Sequence, residues 1–216
     1  MNRIFVVGDI HGCIDKAQKL LSKIPIRWDR DMLVFLGDYV DRGPDPAGVV
    51  QLMIELGSEH PGRVVCLKGN HEVMFLDYLK GGPLSSAFVN FGGMDTLKSY
   101  GISANSDVQE RTHLIPFSHF QFIQSLPISF ETQKFFMVHA GVKPGIPLHK
   151  QKEEDMLWIR HEFIKSEYDW GKRIIFGHTP FDSPFIMPNK IGIDTGAVYG
   201  GRLTCLVIPD IDFVFA

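Results

Sequence analysis

Gly37-Asp38-Tyr39-Val40-Asp41-Arg42-Gly43 follows the apolar run Met32-Leu33-Val34-Phe35-Leu36, which reads as a buried strand. The strand stops at Gly37, and the chain then presents Asp38, Asp41 and Arg42 in close succession. Buried charges persist only when paired or when they coordinate a metal. Two carboxylates and a guanidinium between flanking glycines, set at a strand end, read as a place for a metal and a phosphate.

Two other stretches repeat the arrangement. Arg3-Ile4-Phe5-Val6-Val7 runs into Gly8-Asp9-Ile10-His11-Gly12, and Arg63-Val64-Val65-Cys66-Leu67 runs into Lys68-Gly69-Asn70-His71-Glu72. Each time an apolar strand delivers a metal-type ligand to a glycine-flanked loop, and strand ends of open α/β sheets are where such sites gather.

Between the motifs the pattern is helical. Ala17, Leu20, Leu21 and Ile24 fall at helical spacing, with Asp15 as the expected cap and Pro25 as the stop. Pro44-Asp45-Pro46 predicts a turn with Asp45 as N-cap, leading into an amphipathic helix through Val49, Val50, Met53 and Leu56. Strand, helix, strand, helix, strand is the alternation of a parallel sheet with helical crossovers. After a further helix from His71, the block from about 84 to 126 shows no strand and predicts a mostly helical cap. Strands return at 128–130, 134–138 and 173–176. Two more, at 190–194 and 201–208, read as sheet edges, and a last strand is expected near the C-terminus. One domain spanning 1–216 is expected.

The bulk composition fits this. The chain has 216 residues, 44% hydrophobic and 22% charged, with a formal net charge of −3, an ordinary globular balance. A mildly acidic chain lacks the basic stripe of a sequence-independent nucleic-acid binder. Cys13, Cys66 and Cys205 form no CxxC pair, unlike a disulfide framework or zinc ribbon. No run approaches a membrane span, and the N-terminus enters a motif at once, so a cytoplasmic protein is expected.

The polar residues delivered by strand ends are Asp9, His11, Asp38, Asn70, His139 and His178. Their oxygen and nitrogen donors suit Mn, Fe or Zn better than Mg or Ca. Six are too many for one catalytic ion with open positions, and suit two divalent ions sharing a bridging carboxylate, about 3.5–4 Å apart in two-metal hydrolytic sites. His60, His113, His119, His149 and His161 lack the strand-end glycine context and read as ordinary histidines.

Gly-Asp-Ile-His-Gly, Gly-Asp-Tyr-Val-Asp-Arg-Gly and Gly-Asn-His-Glu, in this order, resemble the signature of the phosphoprotein phosphatase (PPP) family, within the calcineurin-like metallophosphoesterases. The likeness runs from Asp9 to about Gly201 and is nearest to the bacterial and phage λ-type serine/threonine phosphatases. It implies an α/β fold, a β-sandwich flanked by helices. It also implies that Asp9, His11 and Asp38 hold one metal and that Asp38, Asn70, His139 and His178 hold the other, most simply as Mn2+.

Catalysis then needs no side-chain nucleophile, because a water bridging two metals is acidified towards neutrality. His71, beside Asn70 but outside the ligand set, is the natural general acid, with Asp41 orienting and raising it. Arg42 suits the phosphate through its planar fork. Asn70 lies at the same phosphate, and Arg160 in Leu-Trp-Ile-Arg resembles the second phosphate arginine of the λ-type enzymes. Glu72 is expected to pair with a nearby loop, and Asp194-Thr195-Gly196 to pack around the site.

The leading expectation is hydrolysis of phosphate monoesters, phosphoserine or phosphothreonine in proteins, with phosphotyrosine admitted. The alternative is a symmetrical dinucleoside tetraphosphatase acting on a nucleotide. In that branch the Asp of Asp-Arg-Gly is commonly replaced and Gly-Asn-His-Asp is usual, so Asp41 and Glu72 favour the protein phosphatase. A metal-stabilised binding module without turnover is disfavoured, since every ligand and the acid are present.

Overall fold

The computed structural model describes residues 3–103 and 105–216. Two five-stranded mixed sheets face each other. In the first, β1 (Ile4–Val7), β2 (Met32–Phe35) and β3 (Val64–Cys66) run parallel. β9 (Thr204–Ile208) pairs antiparallel with β1, and β10 (Asp212–Phe215) with β9, giving the order β10-β9-β1-β2-β3. The second sheet is β4-β5-β6-β8-β7, from β4 (Ser129–Glu131), β5 (Phe135–Val138), β6 (Arg173–Phe176), β7 (Phe185–Ile186) and β8 (Lys190–Gly192). Its central three strands are parallel and its two edge strands antiparallel.

The two-residue period of a strand sorts the side chains between layers. Val6, Val34, Leu36, Met137, Ile175 and Leu206 form the core between the sheets. Their neighbours Phe5, Val7, Leu33, Phe35 and Cys205 point to the outer face of the first sheet. Phe136, Val138, Ile174 and Phe176 point to the outer face of the second. Both faces of each central strand are covered, which is why these strands read as unbroken apolar runs rather than as alternating ones.

Helices cover the outside. α1 (Ile14–Lys23), α2 (Pro46–Glu59) and α3 (Asn70–Leu79) contribute to the core on the first sheet. The cap extends the same core through Phe88, Leu97, Ile102 and Ile123. It consists of α4 (Ser85–Phe88), a kinked connection Val89–Gly93 in which Phe91 and Gly92 leave the helical conformation, α5 (Met94–Ser99), α6 (Val108–Leu114) and α7 (Phe117–Ser125). α8 (Glu153–Trp158) and α9 (His161–Lys165) lie with the second sheet's outer core. Lys190 on β8 is fully buried, and its ammonium donates to the carbonyls of Phe163, Ile164 and Ser166. It thereby ties down the helix that begins at Arg160. No helix among the described residues is long and apolar enough to cross a membrane.

Two local expectations need correcting. The strands at 190–194 and 201–208 are inner strands, because β9 lies between β10 and β1 and β8 between β6 and β7; short apolar runs beside glycines do not reveal which neighbours they acquire. Asp15 is not the cap of α1. Cys13 holds that position, and Asp15 sits in the first turn, where its charge still complements the helix dipole. Asp45 does cap α2, its Oδ1 accepting from the Gly48 N–H at 2.8 Å.

The loop after β2 is held by a single carboxylate. Glu72, fully buried in the first turn of α3, accepts from the N–H groups of Asp38 (2.9 Å), Tyr39 (2.8 Å), Val40 (3.3 Å) and Gly69 (2.9 Å). A Cβ on Gly69 would overlap the Asp38 carboxylate, so only glycine lets the second and third motifs touch there. Each buried N–H left without an acceptor costs about 1–3 kcal/mol. Glu72→Ala is therefore expected to lower the unfolding free energy by about 3 kcal/mol or more, measured by denaturant unfolding. A loss below about 1 kcal/mol would mean that the loop holds its shape without this residue.

Candidate active site

Every residue expected at the site follows the C-terminal end of a parallel strand, except Arg160, which precedes α9. Asp9 and His11 follow β1, Asp38, Asp41 and Arg42 follow β2, Asn70 and His71 follow β3, His139 follows β5 and His178 follows β6. Hydrogen bonds across the mouth of the sandwich join the two sheets at this point. The His178 N–H donates to Asp9 Oδ2 at 2.9 Å, and His139 Nδ1 donates to the Leu36 carbonyl at 3.0 Å. Except for Arg42 and Arg160, all these residues are buried.

The backbone here is unusual. Six non-glycine residues among those described have positive φ, and five of them are His11 (45°), Asp38 (53°), Asp41 (72°), Arg42 (67°) and His178 (62°). Such conformations cost about 1–3 kcal/mol each and persist only when the surroundings over-determine them. The Glu72 network is one such constraint. Thr96 on α5 is another: its N–H-facing oxygen accepts from the Asp41 N–H at 2.8 Å while its hydroxyl donates to Asp41 Oδ1 at 2.6 Å.

The donors fall into two tight groups, His11–Asp38–His71 and Asp38–His139–His178. Asp38 is common to both. Its Oδ2 lies 3.4 Å from His11 Nε2, and its Oδ1 lies 3.4 Å from His139 Nε2. Asn70 joins the second group, its Oδ1 being 2.9 Å from His139 Nε2. Asp9 is buried beside them but lies outside both groups, its carboxylate facing the His178 N–H; His71 occupies the corresponding place in the first group. The two nitrogens of His71 are already engaged, Nδ1 with Asp41 Oδ2 at 2.5 Å and Nε2 with Arg42 at 2.9 Å.

The donor set fits divalent cations. His11 and His139 each give Nδ1–H to a backbone carbonyl, of Val40 and Leu36, which leaves a lone pair on each Nε2. That of His139 faces the Asp38 and Asn70 oxygens, that of His11 accepts from Arg42 with Asp38 Oδ2 3.4 Å away, and His178 Nε2 is buried with no hydrogen-bond partner. Burial pushes His11 down to about 3, against the pull of Asp38, and His178 down to about 2, aided by His139. Asp9 is raised by burial and by the charges of Asp194 and Asp38. Asp38 is held far below the ordinary carboxylate range: burial opposes ionisation, but His139, His71, His11 and His178 together outweigh it. Converging lone pairs and repelling buried carboxylates are what a bound cation relieves.

Around this centre lies a cleft of about 320 Å³ lined by Arg42, Asn70, His71, Arg160 and His178, with Phe91 and Trp158 as its aromatic walls. Arg42 donates to the Nε2 atoms of both His11 (2.6 Å) and His71 (2.9 Å) and, through its Nε, to the Phe91 carbonyl at 3.2 Å. The cap reaches it closely. The Arg42 N–H donates to the Gly92 carbonyl at 3.0 Å, and Gly92, at φ 106°, has no room for a Cβ beside the Arg42 side chain. His71 is raised: burial opposes, but Asp38 and the hydrogen bond to Asp41 prevail. A larger cavity, about 640 Å³ between α2 and α7, contains no titratable side chain.

Two residues gain importance over their sequence reading. Asp194 is buried, raised to about 6 by desolvation, and its charge acts on Asp9. Its place after β8, another parallel strand end, is the signal that marks it. Thr96 carries no such signal, because it reaches Asp41 from a helix 55 residues away. Glu72 and the Asp41–His71 pair stand as expected.

Among known proteins, the asymmetrical bis(5'-nucleosyl)-tetraphosphatase PrpE of Bacillus thuringiensis (strain Al Hakam) is 26% identical over 234 residues, covering 97% of this chain and 92% of the relative. A crystal structure provisionally described as a diadenosine tetraphosphatase superposes with a TM-score of 0.77 at 24% identity, covering 100% of this chain and 93% of that one. A protein serine/threonine phosphatase from Saccharomyces cerevisiae gives 0.66 at 16% identity, covering 100% and 79%. The sequence pattern of the calcineurin-like phosphoesterases matches residues 2–216. With its two mixed sheets, flanking helices and clustered His and Asp donors, this chain belongs to the calcineurin-like phosphoesterase family.

Proposed function

We propose that this phosphoesterase hydrolyses dinucleoside tetraphosphates into unequal halves, with phosphomonoesters as lesser substrates. The observation that carries this reading is the relationship to proteins named asymmetrical bis(5'-nucleosyl)-tetraphosphatase along nearly the whole of both chains. It replaces the preference for a protein phosphatase, which rested on Asp41 and Glu72. Both residues have uses independent of substrate: Glu72 gathers four N–H groups, and Asp41 holds His71. They therefore do not discriminate between a phosphoprotein and a nucleotide. The cleft also suits an extended polyanion, since it offers two guanidinium groups.

In this reading Asp9, His11 and Asp38 hold one divalent ion, and Asp38, Asn70, His139 and His178 a second, with Mn2+ the choice for mixed nitrogen and oxygen donors. Two such ions supply the activated water and the Lewis acidity that hydrolysis needs. The side chains supply the rest. Arg42 and Arg160 receive phosphate oxygens, and Asn70 lies against the same phosphate. An arriving phosphate competes with the two imidazoles for Arg42, so His71 Nε2 is freed as the substrate seats. Once free, His71 Nε2 takes up a proton from solvent and delivers it to the leaving oxygen, while Asp41 accepts its Nδ1–H and Thr96 holds Asp41 in place.

The direct test is a panel with Mn2+: diadenosine tetraphosphate, a phosphoserine peptide and a phosphotyrosine peptide, with products resolved. The expected result is fastest turnover of the dinucleotide, to ATP and AMP. Two ADP would make the enzyme symmetrical, and turnover of phosphoserine without dinucleotide cleavage would restore the protein phosphatase reading.

The role of His71 predicts a leaving-group effect. Across aryl phosphates of rising leaving-group basicity, His71→Asn should fall progressively further behind the parent protein. General acid catalysis is worth about 10²–10⁴-fold, so a deficit of at least about 10²-fold is expected at phenyl phosphate and much less at p-nitrophenyl phosphate. Metal content should be unchanged. A uniform loss across the series would make His71 a phosphate-positioning group.

A further inference from the structure

Two large aromatic side chains stand exposed beside Arg42, and one of them lines the cleft. Phe91 is 53% exposed and lines the cleft. It lies at the kink Val89–Gly93 of the cap, and its carbonyl accepts from Arg42 Nε at 3.2 Å, so its backbone is tied to the Arg42 guanidinium. Tyr199 is 65% exposed, and its ring centre lies 5.6 Å from the guanidinium carbon of the same Arg42.

Tyr199 is displayed by a well-held support. It ends a short 3₁₀ turn, Ala197–Tyr199, between the left-handed Gly196 and Gly200. Lys16 on α1 donates to the carbonyls of Ala197 (2.7 Å) and Gly201 (2.6 Å), and Thr195 Oγ1 donates to the Arg202 carbonyl at 2.6 Å. The backbone is thus tied to the first sheet and α1 while the ring is left in solvent. Phe91 is presented in the same way, with its backbone anchored and its ring free. Packing accounts for neither ring. Phe88, by contrast, lies in the same cap but is fully buried and stacks on Phe75 with ring centres 5.5 Å apart.

Resting on the dinucleoside tetraphosphate reading, we infer that Phe91 and Tyr199 form a nucleobase-stacking rim, with which the site recognises a nucleoside next to the phosphates bound at Arg42 and Arg160. Aromatic faces stack on any base, with little sequence preference, because every base has a π-face. A cationic group flanked by such faces matches a ligand whose charge and aromatic ring are neighbours. A nucleoside polyphosphate has that arrangement. In a phosphoserine peptide nothing aromatic adjoins the phosphate.

The test compares ligands that share a phosphate chain but differ in the base. Binding of ATP and of inorganic tripolyphosphate to the metal-loaded protein is measured by calorimetry, for the parent, Phe91→Ala, Tyr199→Ala and Phe91→Trp. KM and kcat for diadenosine tetraphosphate are measured alongside. The parent should favour ATP over tripolyphosphate. Each alanine variant should lose about tenfold in ATP affinity, within the range for base–aromatic stacking, and raise KM for the dinucleotide by a similar factor. Tripolyphosphate affinity should stay near the parent value, and Phe91→Trp should restore ATP binding. Equal losses for ATP and tripolyphosphate would overturn the rim, as would unchanged ATP affinity in both alanine variants or a selective loss on a phosphotyrosine peptide. If the parent prefers ATP through these rings but does not cleave the dinucleotide, the rim stands and the tetraphosphatase reading falls.

Discussion

Buried carboxylates and imidazole lone pairs that converge without protons between them set the terms for the rest of this molecule. Asp38 turns one oxygen to His11 and the other to His139. Asp9 and Asp194 add two further carboxyl groups at the same depth, both raised by burial. A buried charge without a partner is strongly unfavourable, and burial disfavours the charged form of His11 and His178. A divalent cation bound among these donors would resolve the conflict. Arg42, donating to His11 and His71, brings the one guanidinium that the structure places directly on these imidazoles.

The remainder of the site holds this arrangement in shape. The parallel strands of the two sheets end at the same mouth, so six donors from five strand ends meet. The loops carrying them adopt positive φ at five non-glycine positions, and buried polar contacts sustain that strain. Glu72 binds the second loop to α3, and Thr96 binds Asp41 to the cap. The cap is thus part of the catalytic frame as well as a cover: it fixes Asp41 from one side and meets Arg42 through the carbonyls of Phe91 and Gly92.

Much of this is legible in the sequence, for a physical reason. Ligands at strand ends need flanking glycines where loops pack against one another, and Gly8, Gly37 and Gly69 mark those places beside Asp9, Asp38 and Asn70. The parallel order of β1, β2 and β3 follows from the helices between them. What depends on distant pairing is not legible. Nothing in Thr204–Ile208 says that it will lie antiparallel against β1, and nothing in Thr96 says that it will hold Asp41. The substrate is likewise obscured, because Asp41 and Glu72, taken as marks of a protein phosphatase, are structural supports that either substrate class requires. The rings of Phe91 and Tyr199 carry more information about the ligand, yet in sequence they are two unremarked aromatics far apart in the chain.

The central claim is that Asp38 is shared between two cations. The most direct measurement is a calorimetric titration of metal-stripped protein with Mn2+, with the thermal midpoint followed in parallel. The account predicts two ions bound per chain, and a midpoint that rises with free metal because the ions bind the folded state only. Binding of one ion with full turnover, or of none with an unchanged midpoint, would contradict it.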